Sequence, residues 1–243
     1  IKATGASTIQ NNYSSENGGA YYVSGGSVTM TSATISGNGK NNGTATTTNG
    51  GAVFVTGNGA GFTASGATEI TSNASKGNGG AVYVSGGNIS LDENIISNNN
   101  AANGGAIYVN GGGFTANGGT EIKSNTATGN GGAVYVTGTS TTKGNINING
   151  NSSNSATITG NYSTGEGGAF YVNNGDITMG LTELSGNGKD ASSVVHTSNG
   201  GAIALKNGTF SFADGSEIKD NHAKGNGGGL YISNESATRI RCI

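Results

Sequence analysis

The chain has 243 residues and a mass of 23.7 kDa, with 48 glycines, 34 asparagines, no proline, no tryptophan, 32% apolar residues and 10% charged ones. That balance would leave a chain of random order unfolded. A net charge of −2 and a pI near 5.6 provide no basic patch, which excludes nucleic acid as a partner. The single cysteine, Cys242, lies in the tail "RIRCI" with both arginines, so neither a disulfide framework nor a cysteine-based metal site is available. Apolar runs of four or five residues fall far short of the roughly 20 that a membrane-spanning helix needs. The opening "IKATGASTIQ" lacks an export signal and the first methionine is Met30, so the chain is expected to be one domain over 1–243, a fragment or processed part of a longer protein.

Along the chain, eight units recur. Each is opened by a glycine pair, at Gly18, Gly50, Gly79, Gly104, Gly131, Gly167, Gly200 and Gly227, with spacings of 32, 29, 25, 27, 36, 33 and 27. An Ile or Leu followed three positions later by Asn precedes every pair: Ile9/Asn12, Ile35/Asn38, Ile70/Asn73, Ile96/Asn99, Ile122/Asn125, Ile158/Asn161, Leu184/Asn187 and Ile218/Asn221. Fixed landmarks with variable gaps indicate fixed strands with variable loops.

Between landmarks the apolar residues alternate with the period of a strand: Phe62 and Ala64 about Thr63, Val82 and Val84 about Tyr83, Ile89 and Leu91 about Ser90. The same holds for Phe114 and Ala116 about Thr115, Ile177 and Met179 about Thr178, and Phe210 and Phe212 about Ser211. No stretch keeps the helical period. Three short strands per unit predict an all-β, single-stranded, right-handed parallel β-helix of about eight coils, each strand lying about 4.8 Å above its copy. The eight landmark asparagines, Asn12, Asn38, Asn73, Asn99, Asn125, Asn161, Asn187 and Asn221, are expected to stack as a hydrogen-bonded ladder. "GGAYYVSGGSVTMTSATISGNGK" from Gly18 returns as "GGAFYVNNGDITMGLTELSGNGK" from Gly167, which indicates duplication of a block of coils.

At these landmarks the sequence resembles the repeats of the chlamydial polymorphic outer-membrane proteins and related adhesin-like autotransporter passengers, whose signatures are Gly-Gly-Ala-aliphatic and Phe-x-x-Asn. "GGAV" or "GGAI" stands at 50–53, 79–82, 104–107, 131–134 and 200–203, with Ile or Leu in place of the family's Phe. The resemblance implies a secreted or surface-displayed β-helix that touches a protein or glycan on host or neighbouring cells.

Tyr22, Phe54, Tyr83, Tyr108, Tyr135, Tyr171 and Tyr231 hold one position in seven of eight units, with Ala204 the exception. Flanked by inward aliphatics, these rings should point outward, either as a strip that binds a partner or as a self-stacking column. A column of Thr29, Thr63, Ser90, Thr115, Thr178 and Ser211 reads as solvated strand hydroxyls. Glu69, Glu121, Glu183 and Glu217 precede the landmark aliphatics, and the adjacent Glu183 and Glu217 raise the question of a glycosidase pair. Both project from one sheet, however, and Lys123 and Lys219 point instead to cross-coil ion pairing. His196 and His222 have no partner at metal-ligand spacing and read as solvated loop residues. No cofactor or metal is expected. The leading expectation is an extracellular stalk that makes its contacts through loops 39–49, 188–199 and 137–157. The alternatives are a subunit that stacks end to end in a filament and a carbohydrate-active enzyme on the same scaffold.

Overall fold

The computed structural model describes residues 1–139, 141–234 and 240–242, and contains no helix among them. The chain climbs a parallel β-solenoid of about eight coils, visiting three sheets in turn. The first sheet has nine strands, from Lys2–Ala3 to Ile240–Cys242. The second has eight, from Thr8–Gln10 to Glu217–Lys219, and the third eight, from Tyr21–Ser24 to Leu230–Ser233. A further sheet of three two-residue strands, Asn100–Ala101, Thr126–Ala127 and Tyr162–Ser163, bridges the second and third in the middle coils.

Register is set by side-chain type. Ile35, Ile70, Ile96, Ile122, Ile158 and Leu184 lie in line on the second sheet and are at most 1% exposed. Val53, Val82, Ile107, Val134, Phe170 and Ile203 do the same on the third. Phe62, Phe114, Phe170 and Phe210 are the largest fully buried side chains. A slip of one residue would turn any of these strands inside out, so the alternation fixes both face and neighbour.

The two glycines of each pair serve different needs. The first adopts a left-handed conformation, with φ between 57° and 70° in all eight units. The second leaves room for the coil above: a Cβ on Gly80 would lie 2.1 Å from the carbonyl oxygen of Gly105, and one on Gly105 at 2.1 Å from that of Gly132. The alanine that follows, such as Ala81, Ala106 or Ala133, is fully buried. Gly-Gly-Ala is therefore a bend, a close backbone approach and a core methyl in succession.

A second left-handed position stands just before each landmark asparagine. Asn11, Gly37, Ser72, Asn98, Ser124, Gly160, Gly186 and Asp220 all have φ between 55° and 65°. Only Gly and small polar residues occur there, as the steric cost of this conformation requires.

The structure corrects the expected extent of the loops. Residues 137–157 are not one loop: Ile146–Asn149 is a strand of the first sheet, with Asn147 between Thr115 and Thr178. An Asn where other coils carry Thr or Ser concealed the Ile146/Ile148 alternation. Within 39–49, Lys40–Asn41 and Thr44–Ala45 form a small antiparallel hairpin.

Candidate functional site

The landmark asparagines form a continuous hydrogen-bonded row. From Asn12 to Asn221 each Nδ2 donates to Oδ1 of the asparagine one coil on, at 2.9–3.1 Å. The backbone amide donates to the same oxygen, as from Asn99 to Asn125 at 3.0 Å. Nδ2 also reaches the carbonyl of the landmark aliphatic one coil back, as from Asn125 to Ile96 at 3.0 Å. Asn38, Asn73, Asn99, Asn125, Asn161 and Asn187 are at most 1% exposed, so these side chains are fully committed and unavailable to a ligand.

A second row escaped the sequence reading. The residue before each glycine pair is Asn17, Asn49, Asn78, Asn103, Asn130, Glu166, Asn199 or Asn226, and these also join coil to coil. Asn103 Nδ2 donates to Asn78 Oδ1 at 3.1 Å and the Asn130 amide donates to Asn103 Oδ1 at 3.0 Å. Here the later coil donates to the earlier, opposite in sense to the first row, so the two sets of amide dipoles oppose each other. The signal lies in the sequence as "NGG" in seven of eight units, beside the glycine pair that marks the start of each unit.

Glu166 is the exception in that row, and it is coupled to the exception in the aromatic column. One of its oxygens accepts from Asn199 Nδ2 at 3.1 Å and the other pairs with Lys206 Nζ at 2.8 Å. Lys206 Nζ lies 5.7 Å from the Tyr171 ring centre, beside the coil where Ala204 replaces the aromatic residue. The hydrogen bond to Glu166 raises the Lys206 pKa. The ammonium thus takes the place of the missing ring.

The rest of the column is continuous. Tyr22, Phe54, Tyr83, Tyr108 and Tyr135 stack in series with centroids 4.6–5.3 Å apart and planes within 14° of parallel. Tyr171 follows at 4.7 Å, and Tyr231 stands beyond Ala204. Tyr22 is 57% exposed whereas Tyr171 is 6% exposed. Burial raises the Tyr108 phenol to about 12, helped by Tyr83 beside it and by Tyr171 two coils on, and raises Tyr135 still further. Ring faces that stack on one another are not free for a ligand. The interior of the column presents edges and hydroxyls only.

Of the four glutamates, Glu121, Glu183 and Glu217 meet a lysine, and Glu69 has no ion pair among the described residues. Lys123 holds Glu121 within its own strand, and Lys219 holds Glu217 in its strand and Glu183 one coil back, the latter at 3.5 Å. Only this last contact crosses coils as expected. The Thr178 and Ser211 hydroxyls lie 3.4 Å apart within the hydroxyl column.

Neither histidine is the solvated loop residue that its sequence context suggested. His196 Nε2 lies 3.0 Å from Asp190 Oδ2, and its ring stacks on Tyr162 at 4.8 Å. That hydrogen bond lowers the Asp190 pKa. His222 buries its Nδ1 without a hydrogen-bond partner. Among the described residues no three His, Cys, Asp or Glu side chains gather to hold a metal ion, and no helix is long and apolar enough to cross a membrane.

Beside the 188–199 loop lies a groove of about 400 Å³. Its floor is the left-handed corner of four successive coils, at Asn98, Ser124, Gly160 and Gly186. Tyr162 and residues 189–192 also line it. Periodicity did not reveal it, because it arises where an inserted loop folds back beside a regular corner.

The Chlamydia polymorphic membrane protein (Chlamydia_PMP) repeat matches residues 119–137. That segment carries the second-sheet strand Glu121–Lys123, the row asparagine Asn125, the Gly-Gly-Ala corner at 131–133 and the third-sheet strand Val134–Thr137. Over this repeat the chain is similar to that family. No curated protein and no solved structure matches the chain.

Proposed function

We propose that the protein is an extracellular, outer-membrane-displayed β-helical stalk with adhesin character, and that it meets a protein or glycan of another cell through its loops. The observation that carries this reading is the division of labour within each coil. The asparagine rows and the ring faces are spent on neighbouring coils, whereas the loops at 39–49 and 188–199 differ in composition on one shared scaffold. The match to a polymorphic membrane protein repeat supports display at a surface. The pairing of Glu183 and Glu217 with Lys219 argues against a carbohydrate-cleaving pair. The test is to couple the purified protein to beads and count their attachment to a panel of animal cells. Saturable attachment blocked by free protein is expected. Attachment no greater than that of albumin-coated beads on every cell type overturns the reading.

A further inference from the structure

We infer that the groove beside the 188–199 loop binds a short oligosaccharide carrying a carboxylate. This deepens the adhesive reading by assigning a ligand class to one loop. Its floor repeats with the coils, at intervals of about 4.8 Å, so the four corner residues span roughly 14 Å. A pyranose ring with its glycosidic oxygen is of similar length, which lets a short sugar chain lie along the floor in step with the coils. Both structures have nearly the same repeat.

The lining suits sugar hydroxyls. Asn98 offers an amide, Ser124 and Ser192 offer hydroxyls, and Tyr162 offers an aromatic surface backed on one side by His196. Ala191 is the only aliphatic side chain among the lining residues. A peptide would need apolar pockets or an open strand edge. The groove runs across the coils at a corner and offers neither.

Charge selects an acidic sugar. The carboxylate of Asp190 is already engaged: Oδ1 accepts the amides of Ser192 and Val194, each at 2.9 Å, and Oδ2 meets His196. The Lys189 ammonium, in contrast, has no ion-pair partner among the described residues. It supplies the counter-charge for a carboxylate on the ligand.

The floor is open because two coils have glycine there. A Cβ on Gly160 would meet only the Ser124 hydroxyl at 3.9 Å, and one on Gly186 only the Gly160 amide nitrogen at 4.0 Å. Asn11 and Asn98 occupy the same corner with φ of 57°, against 64° for Gly186. Gly186→Asn therefore fills the groove with a residue the corner already accepts.

The experiment titrates the full chain with trigalacturonic acid, its methyl ester and a tetraglutamate peptide by calorimetry, using wild type, Lys189→Met and Gly186→Asn, with melting temperatures as the folding control. The expected result is submillimolar binding of the acid, at least tenfold weaker binding of the ester and by Lys189→Met, and none by Gly186→Asn. Absence of trigalacturonate binding, equal binding of acid and ester, preference for the peptide, or unchanged binding by Lys189→Met each overturns the inference. Lys189→Met decides the matter if Gly186→Asn fails to fold. Beads that attach to cells while the protein ignores the sugar would sink this site alone. Sugar binding without attachment would sink the adhesive reading alone.

Discussion

In the loop at 39–49 the Gly39 carbonyl accepts the amides of Thr46 and Thr47 at 2.8 and 3.2 Å, and in the loop at 188–199 the Gly188 carbonyl accepts those of His196 and Thr197 at 2.9 and 3.1 Å. The agreement continues inward. Thr47 and Thr197 are fully buried, and their hydroxyls donate to the carbonyls of Ser14 and Ser163 at 3.1 and 3.0 Å. Their own carbonyls accept the amides of Lys76 and Lys224 one coil on, both at 2.8 Å. At the tips the loops part. Asn42 and Gly43 both have positive φ and turn the first hairpin by backbone conformation alone. In the second, the Asp190 side chain collects two amides and His196, and His196 covers Tyr162, whereas the equivalent Tyr13 is 53% exposed. The duplicated block has kept its anchors and changed its tip, as expected where the base holds a fold and the tip faces a partner.

The largest effects should fall on the shared anchors and be equal. Asn38→Leu and Asn187→Leu each remove an amide that donates to the next asparagine and to two carbonyls, and should each cost about 3 kcal/mol by leaving buried groups unpaired. Denaturant melts that differ by more than about 1 kcal/mol between the two would break the equivalence of the bases. Thr47→Val and Thr197→Val should follow at about 1–2 kcal/mol each, again matched, because each valine keeps the shape and loses the bond to a serine carbonyl.

Acid should separate the loops. The Asp190 pKa is lowered in the folded chain, first by its hydrogen bond to His196. Its contribution is therefore present above the ordinary carboxylate pKa near 3.8 and is lost as pH falls through the lower folded value. Amide exchange at Ser192 and Val194 should quicken, relative to its intrinsic rate, over that acid range and in Asp190→Ala at neutral pH. The tip at 41–44 should stay unchanged in both cases, and parallel loosening of both tips would show that Asp190 does not shape its loop. The smallest effect concerns the two tyrosines. Tetranitromethane should modify Tyr13 a few-fold faster than Tyr162, and His196→Ala should narrow the gap. Equal rates in the wild-type protein would deny that His196 shields Tyr162.

The strands, their stacking order and the positions of the landmark asparagines were legible because each rests on a period: two within a strand, one coil between copies. The row at Asn17, Asn49 and Asn78 was equally periodic but hidden beside glycines that drew the explanation to themselves. Asn42-Gly43 was a readable hairpin signal that a loop assignment passed over. The Glu166–Lys206 pair, the Asp190–His196 pair and the groove had no such trace. Each joins residues whose separation depends on how an irregular segment folds back, and no repeat in the sequence records that.

The most direct test of contact through loops on a fixed scaffold is to replace residues 189–195 with residues 40–45, joining one tip to the other's base, and to measure bead attachment beside the melting curve. The common anchors predict an unchanged melt and a loss of attachment comparable to deletion of the tip residues 190–194 alone. Attachment that survives the graft, but disappears when Tyr83, Tyr108 and Tyr135 are changed to serine in a protein that still folds, would contradict the account and place recognition on the aromatic column.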